Sequence, residues 1–452
     1  MILQEIYLHN FRCFRSLKVE LHPQLTVFVA KNGAGKTAVL DAIALGFGRY
    51  FSKLPGVSGI STKDSDLRIE SDERRSPFLA LGWRAITKEG SSLVWAGGRR
   101  RNSATNPLAM RQAAEQAFGE SVSGLRDIDA YTSQLVKASS ENEPFFLPVI
   151  AYYGTNRALI EEVKRRRGFR KEFTRFDALS GALQSSARFK AGFEWFNAME
   201  DLERRSKESK KDFDLRLPQL QAVRQAIVRM LPPGFSNPRT EIRPLRFVID
   251  RKTSDGITRT LRISQLSDGF RVMLGLVMDL SRRMVQANSS MAIGGMEIAN
   301  PLDLPAIALI DEVDLHLHPD WQQSVLPDLM KTFKKTQFIV TTHSPQVLSS
   351  IKRESIRVID LDATGQDVAV QPLSMTYGEP SGAVLHGVMH VDPQPPVKEK
   401  TALQRLTLLV DRGEYQSTEA QNLLQELIAA LGPLHPQIQR VQRSINRQIA
   451  LG

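Results

Sequence analysis

The chain has 452 residues, too many for one ordinary hydrophobic core, so two or three lobes are expected. Apolar residues make up 42 % and charged residues 24 %, which is typical of a soluble globular protein. No apolar run approaches the roughly 20 residues needed to cross a bilayer, and the N-terminus lacks the pattern of a secretion signal. We therefore expect a cytoplasmic protein with no membrane partner. A net charge of +11 favours a polyanionic partner, and the lone Cys13 excludes an internal disulfide and a cysteine-built metal site.

A glycine-rich loop follows the third predicted strand. Strands are predicted at residues 2–8 and 17–21, and a buried strand at 25–29 leads directly into Ala-Lys-Asn-Gly-Ala-Gly-Lys-Thr, residues 30–37. An amphipathic helix comes next. The order strand, glycine loop, helix is the context in which a Walker A match predicts a phosphate-binding site. We call residues 30–37 the phosphate loop.

The residue types of this loop suit the binding of a nucleoside triphosphate. Gly33 and Gly35 allow backbone N–H groups to surround phosphate oxygens, and the helix N-terminus adds a positive dipole. Lys36 would reach the β- and γ-phosphates of ATP, and Thr37 would offer its hydroxyl to Mg²⁺. Ala30 stands where the pattern has its first glycine, and it is small enough to keep the loop compact. The candidate nucleotide-binding residues here are Asn32, Gly33, Ala34, Gly35, Lys36, Thr37 and Ala38.

The central part of the chain carries a hairpin, a strand and a charged helical region. The hairpin is predicted at 78–96, the buried strand at 147–153 and the helices at 158–231. The helical region contains the densest positive patch in the sequence, which is either a solvated helix face or a nucleic-acid contact. This patch consists of Lys164, Arg165, Arg166, Arg167, Arg170 and Lys171.

A second candidate anion site lies after a hairpin predicted at 245–263 with Asp255-Gly256 as its turn. Residues 266–269, Leu-Ser-Asp-Gly, precede an apolar helix predicted at 272–280. Ser267 and Gly269 would combine a hydroxyl, backbone N–H groups and the helix dipole. By itself this signature segment (residues 266–269) equally fits an ordinary helix cap.

A pair of carboxylates ends a predicted core strand. Residues 306–310, Ala-Ile-Ala-Leu-Ile, are apolar throughout, as in a buried parallel sheet, and Asp311 and Glu312 follow. Catalytic groups of open α/β sheets lie at the carboxyl ends of strands, which favours chemistry at this acidic pair. The next strand is predicted at 337–342 and ends at His343.

The C-terminal tail has a separate character. Asp-Pro-Gln-Pro-Pro at 392–396 predicts a stiff linker, and residues 397–449 predict two or three short amphipathic helices. Thr418 and Gln421 are expected to form a capping box. No catalytic constellation is visible here, so we interpret the tail as a docking or assembly module. The resulting division of the chain is an N-terminal lobe with the phosphate loop (1–157), a helical insertion (158–235), a C-terminal lobe with the signature segment, the acidic pair and His343 (236–395), and a C-terminal helical segment (396–452).

Three motifs in this order resemble the ATPase heads of the ABC superfamily. They are the phosphate loop, the signature segment, and residues 307–312 with His343. The segments 10–14, Asn-Phe-Arg-Cys-Phe, and 317–319, Leu-His-Pro, are typical of the Rad50, RecF and OLD-like branch. The resemblance implies an α/β fold, namely an ABC-type P-loop head with an antiparallel β lobe, a helical insertion and a C-terminal helical segment.

The resemblance also implies a mechanism in which ATP is sandwiched between subunits, so at least a homodimer is expected. Thr37 and Asp311 would hold Mg²⁺, and Glu312 would act as general base. Ser267 and Gly269 of the opposite head would close on the γ-phosphate. His343 would contact the γ-phosphate, and Arg12 is a further candidate nucleotide contact.

Within that branch, residues 152–157 and 377–381 are similar to the Septu anti-phage ATPases, the PtuA family. This resemblance implies an ATPase that works in defence with a separately encoded HNH-type nuclease. The basic charge favours contact with DNA or another nucleic acid. Because every assignable catalytic residue belongs to the nucleotide site, we expect no nuclease activity of the chain itself. The alternatives are a RecF/Rad50-like DNA-repair ATPase without a nuclease partner, and a transporter energiser, against which the basic charge argues.

Overall fold

The computed structural model describes residues 1–70, 73–102, 107–158, 173–184, 189–242, 244–288, 292–293, 296–297 and 300–451. The chain divides into two compact units, Met1–Met389 and His390–Gly452, which are treated separately below. The predicted basic patch at 164–171 lies outside the described residues. No helix among the described residues is both long enough and apolar enough to span a membrane.

The first part of the larger unit alternates strands with short helices. Its elements are β1 (Ile2–Phe11), β2 (Phe14–Glu20), β3 (Leu25–Val29), α1 (Lys36–Gly46), α2 (Gly48–Lys53), β4 (Phe78–Ile86), β5 (Ser92–Arg100), α3 (Pro107–Phe118), α4 (Arg126–Ser140) and β6 (Val149–Tyr153). Helices α3 and α4 occupy a stretch without a clear pattern of apolar residues, so they were not predicted.

The remaining elements follow in two groups. Those of the larger unit are α5 (Phe189–Lys210), α6 (Pro218–Met230), β7 (Phe235–Ile242), β8 (Leu245–Lys252), β9 (Thr258–Arg262), α7 (Asp268–Asn288), β10 (Ala292–Ile293), β11 (Met296–Glu297), β12 (Ala306–Ile310), α8 (Pro319–Thr332), β13 (Thr336–Thr341), α9 (Pro345–Ser349), β14 (Ile356–Leu361), β15 (Asp367–Val370) and α10 (Ser381–Gly387). Those of the smaller unit are α11 (Lys400–Asp411), α12 (Thr418–Leu431) and α13 (Pro436–Leu451).

A six-stranded sheet forms the centre of the larger unit. Its order is β15-β14-β3-β13-β12-β6, and all neighbours are parallel except β14 and β15. Every residue of β3, β6, β12 and β13 is buried, which explains why these segments are apolar runs and not alternating patterns. The predicted core strands are therefore confirmed. Because the strands are parallel, the phosphate loop, the acidic pair and His343 all follow strands that end at the same edge of the sheet.

An antiparallel sheet of order β2-β1-β4-β5 confirms the predicted β lobe and the 78–96 hairpin. The indoles of Trp83 and Trp95 stack with their centroids 5.9 Å apart. Each indole N–H donates to a carbonyl of α1, Trp83 to Ala42 at 3.0 Å and Trp95 to Gly46 at 2.8 Å. The antiparallel sheet thus holds the helix that begins at the phosphate loop.

The third sheet, β7-β8-β9, contains the predicted 245–263 hairpin and one strand, β7, that the sequence did not predict. Helices α5 and α6 confirm the helical character of their part of the insertion, although Phe176–Leu179 is only a single 3₁₀ turn. Helix α7 is longer than predicted and is buried along most of its length. The Tyr153 hydroxyl at the end of β6 donates to Asp279 of α7 at 3.0 Å, which fixes α7 to the central sheet.

The smaller unit is a group of three helices around its own small core, centred on Leu406, Leu409 and Ile438. The predicted capping box on Thr418 is wrong by one position. Ser417 has an extended backbone and its hydroxyl accepts from the Ala420 N–H at 3.2 Å, so Thr418 is already the first helical residue.

Candidate nucleotide-binding site

The phosphate loop joins the buried end of β3 to the start of α1, and both of its predicted glycines are left-handed. Gly33 has φ of 79° and Gly35 has φ of 92°. A Cβ built on Gly33 would meet no atom within 4 Å, whereas one on Gly35 would lie 2.5 Å from the Cys13 sulfur and from the Phe14 ring. Backbone conformation therefore favours glycine at both positions, and Gly35 also leaves no room for a side chain.

Lys36 is the buried cation of this loop. Its side chain is 7 % exposed, and its ammonium donates to the carbonyls of Ala30 at 3.0 Å and Lys31 at 3.3 Å. Burial lowers the pKa of Lys36 from its ordinary value, and the carboxylates of three nearby residues oppose that shift, namely Asp311, Glu312 and Asp314. The structure thus brings the loop lysine into the field of the acidic pair.

Asp311 is held by threonine hydroxyls on both of its carboxylate oxygens. Thr37 donates to Oδ2 at 2.8 Å and Thr341, the last residue of β13, donates to Oδ1 at 2.6 Å. The Asp311 N–H donates to the Tyr153 carbonyl at 2.8 Å, and Asp311 is only 4 % exposed. A hydroxyl and a carboxylate oxygen side by side are hard ligands that suit Mg²⁺ completed by phosphate and water.

Glu312 has a left-handed backbone with φ of 47°. Its N–H donates to the Thr341 hydroxyl at 2.7 Å, and the next N–H, of Val313, donates to the Thr341 carbonyl at 2.9 Å. The Glu312 side chain is half-buried at the edge of the sheet. His343 lies two residues beyond β13 and is also half-buried, so the structure places it next to the strand end that holds the acidic pair.

The residues of the signature segment differ in their exposure to solvent. Ser267 is exposed, whereas Gly269 is buried against the loop that follows the acidic pair. A Cβ on Gly269 would lie 2.5 Å from the His316 carbonyl. The ring of Phe270 packs between those of Phe235 and Trp321, 5.1 Å from each. The serine hydroxyl thus faces outward from a well-anchored helix start.

Arg12 lies on the turn between β1 and β2, and two carboxylates hold its guanidinium. It donates to Asp66 at 3.0 Å and to Asp41. Burial disfavours the Arg12 charge, but the two carboxylates outweigh that effect and raise the pKa of Arg12 above its ordinary value. Asp41 lies four residues after Thr37 on α1, hence on the same helix face. The structure therefore places Arg12 beside α1.

Sequence reasoning did not identify Thr341, Asp41 or Asp66. A threonine pair at the end of an otherwise apolar strand, Thr341-Thr342, was the available signal for the first. Thr342 also contacts the loop after the acidic pair, because its hydroxyl donates to Asp314 at 2.6 Å. No local pattern marks the two aspartates, since their role depends on the distant Arg12.

A separate basic cavity of about 730 Å³ lies between α5, α6 and β7. Its two carboxylates, Glu200 and Glu203, accept from Arg224 at 2.7 and 2.9 Å. Phe213 is 77 % exposed, and its carbonyl accepts from Arg216, which lines the cavity. The basic residues that line the cavity are Arg204, Lys207, Arg216, Arg224, Arg229 and Arg239.

A glycine loop between a buried parallel strand and a helix, facing two carboxylates at the end of a nearby strand, defines the ATPase head of a P-loop protein. A family model described as AAA domain matches residues 5–230, half of the chain, and the chain belongs to this family. A second AAA domain model, whose description also names AbiEii toxins and type IV toxin–antitoxin systems, matches residues 141–349.

Individual proteins extend this similarity. The Retron Ec83 probable ATPase of Escherichia coli is 28 % identical over 98 % of this chain and 86 % of that protein. The Septu protein PtuA of Bacillus thuringiensis is 31 % identical over 29 % of this chain and 31 % of its own length. Among solved structures, an SMC head bound to the C-terminal winged-helix domain of ScpA has a TM-score of 0.42 and 15 % identity, covering 82 % of this chain and 98 % of that chain.

Proposed function

We propose that this protein binds ATP with Mg²⁺ and hydrolyses it slowly, as the ATPase component of an anti-phage defence system. The observation that carries the proposal is the convergence on Asp311 of Thr37 from the phosphate loop and Thr341 from β13. This arrangement joins a phosphate-binding loop to a metal-binding carboxylate and a neighbouring base, which is what phosphoryl transfer to water requires.

Each site residue has a distinct role in the proposed reaction. Lys36 balances the charge of the β- and γ-phosphates, and the backbone N–H groups of residues 32–38 surround their oxygens. Thr37 and Asp311 hold Mg²⁺, which spreads the phosphate charge when bound. Glu312 accepts a proton from the attacking water at its carboxylate, and the hydrogen bond from the Glu312 N–H to the Thr341 hydroxyl restrains the backbone that carries this side chain.

The proposed reaction uses two heads. Ser267 is exposed at the start of α7, so its hydroxyl is available to a triphosphate held by another subunit. Gly269 leaves no room for a side chain against the His316 carbonyl, so the start of α7 packs closely on the loop after the acidic pair. ATP held between the phosphate loop of one head and Ser267 of the other joins the heads, and hydrolysis, sensed through His343, releases them.

Defence is favoured by the similarity to a retron ATPase along almost the whole chain, together with the shorter similarity to a Septu PtuA protein. In this proposal the output is control of a separately encoded HNH-type nuclease. The three-helix unit, residues 390–452, provides the surface for that partner or for assembly.

Nucleic acid would bind at the basic cavity. The two carboxylates there accept from Arg224, and Glu203 also lies 4.0 Å from the Lys207 ammonium, so Arg216 and Arg229 are the lining cations offered to phosphates. The exposed Phe213 ring beside Arg216 offers a stacking surface for an unpaired base. We therefore favour a single strand as the ligand.

The proposal is tested first on the ATPase. Lys36→Ala should abolish nucleotide binding, because the phosphates lose a buried cation, whereas Glu312→Gln should bind ATP and lose turnover. Lys31→Ala is the matched control, since Lys31 lies in the same loop with an exposed side chain. Wild-type rates of ATP hydrolysis in both site variants would show that the site assignment is wrong.

The second test concerns the partner. The chain should be purified alone and together with the product of the adjacent gene, and DNA cleavage measured with and without ATP. We expect cleavage only in the presence of the partner. Strong Mg²⁺-dependent cleavage by the chain alone would contradict the proposal, as would a deletion strain that is sensitive to DNA damage and not to phage.

A further inference from the structure

Thr341, at the end of β13, makes three hydrogen bonds to residues 311–313. The Thr341 hydroxyl donates to Asp311 Oδ1 at 2.6 Å and accepts from the Glu312 N–H at 2.7 Å. The Thr341 carbonyl accepts from the Val313 N–H at 2.9 Å. A threonine hydroxyl has one proton to donate, and here it is given to the carboxylate that would bind the metal.

These bonds surround a residue in an unfavourable backbone conformation. Glu312 has φ of 47°, a left-handed value that is unfavourable for a residue other than glycine. Such a conformation persists only where surrounding contacts enforce it. Thr341 supplies two of these contacts. Its hydroxyl accepts from the Glu312 N–H, and its carbonyl accepts from the Val313 N–H.

The two oxygens of Asp311 are likewise fixed from two directions. Thr37 approaches Oδ2 from the phosphate loop, and Thr341 approaches Oδ1 from β13. Asp311 is 4 % exposed, so water does not replace these partners easily. The Thr341 hydroxyl therefore restrains both the carboxylate of Asp311, which would hold Mg²⁺, and the backbone of Glu312, the proposed base.

We infer that Thr341 is a positioning residue for ATP hydrolysis, acting through Asp311 and Glu312 without touching the nucleotide. The inference rests on the proposed ATPase activity. Thr341 would determine how the Asp311 carboxylate, which binds the metal, is oriented relative to the Glu312 carboxylate, which activates water. Binding of ATP depends mainly on the phosphate loop, so Thr341 should govern turnover more than affinity.

The test is a set of variants that separate the hydroxyl from the shape of the side chain. Thr341→Val keeps the β-branched shape and removes the hydroxyl, and we expect kcat to fall about 10- to 100-fold, as is usual for residues that orient metal ligands. The Kd for ATP should stay close to wild type. The Mg²⁺ concentration for half-maximal rate should rise, because Asp311 is no longer held. Thr341→Ser restores the hydroxyl and should recover most of the rate.

Thr26→Val is the matched control. Thr26 is a fully buried threonine on the adjacent strand β3, where it is the register partner of Ile339 on β13, and its hydroxyl accepts from the His22 N–H at 2.9 Å. The Thr26→Val variant should be less stable than the wild type, with no selective loss of kcat. If Thr341→Val does not fold, Thr341→Ala removes the same hydroxyl with less bulk and carries the same expectation.

Two outcomes would overturn the inference. The first is a Thr341→Val enzyme that turns over like wild type. The second is one that loses ATP binding as completely as Lys36→Ala, since that would indicate a general structural role. Absence of hydrolysis in the wild-type protein would instead contradict the proposed function, so the two failures are distinguishable.

Discussion

The Thr37 hydroxyl donates a hydrogen bond of 2.8 Å to Asp311, although 274 residues separate them in the chain. Strand β13 lies between β3, which leads into the phosphate loop, and β12, which precedes Asp311, so the bond spans the end of an intervening strand. The phosphate loop and the acidic pair are consequently parts of one connected polar edge.

The two loop glycines should differ in their tolerance of alanine. Gly33→Ala adds only the cost of a left-handed alanine, about 1–2 kcal/mol, since a Cβ there meets no atom within 4 Å. Gly35→Ala adds a clash with Cys13 and Phe14, so it should abolish binding of a fluorescent ATP analogue where Gly33→Ala weakens it. Combining Gly35→Ala with Cys13→Ala should recover part of the lost affinity. Equal affinities for the two single variants would contradict the geometry.

Composite sites should allow variants to complement each other. A mixture of Lys36→Ala and Ser267→Arg subunits should hydrolyse ATP, because each mixed dimer retains one intact pair of phosphate loop and signature segment. Each variant alone should be inactive. The matched control is a mixture of Lys36→Ala with Glu312→Gln, which should stay inactive, since these residues serve the same head. Lack of activity in the first mixture would argue for a site formed within one chain.

Neutralising the basic cavity should weaken nucleic-acid binding in a salt-dependent way. Arg216→Gln with Arg229→Gln should reduce the slope of log K against log salt by about 0.7 for each lost contact with a single strand. Phe213→Ala should weaken binding of oligothymidylate more than binding of a duplex, measured by fluorescence anisotropy with DNA and RNA probes. Lys53→Gln with Lys352→Gln, two exposed lysines outside the cavity, is the control. An unchanged slope in the cavity variant would exclude this surface.

Asp279 should be essential for stability and should impose an acid limit on it. It is 1 % exposed and accepts from Arg282 at 2.9 Å and Arg283 at 2.6 Å. Burial raises the pKa of Asp279, but the two arginines outweigh that effect and lower it below its ordinary value. Its contribution is therefore present at neutral pH and is lost as pH falls below the ordinary aspartate pKa towards the lowered one.

Asp279→Asn should cost about 3–5 kcal/mol in urea unfolding at pH 7, because two buried cations lose their counter-charge. The variant should also show a weaker dependence of stability on pH in the acid range. Asp201→Asn removes a solvent-accessible partner of Arg204 and should cost less than about 1 kcal/mol. A loss at Asp279 no larger than at Asp201 would contradict this account.

The phosphate loop and the acidic strand could be predicted from sequence because each is local. A strand of five apolar residues followed by a fixed glycine spacing determines its own backbone, and both 25–29 and 306–310 have the predicted bounds. The N-cap at Ser417 was placed one residue late because Ser417 and Thr418 are chemically similar caps. Strand β7 was missed because its pattern includes Pro238, which disfavours a strand in isolation.

Sequence alone determined which residues are predicted to hold a triphosphate, because that chemistry needs particular side chains at fixed spacing along the chain. Only the tertiary structure decided which residues orient them. The roles of Thr341, of Asp41 and Asp66 around Arg12, and of the basic cavity depend on the order of parallel strands and on packing between segments far apart in sequence. Such contacts form because burial of the whole core brings distant segments together, and no local sequence pattern predicts them.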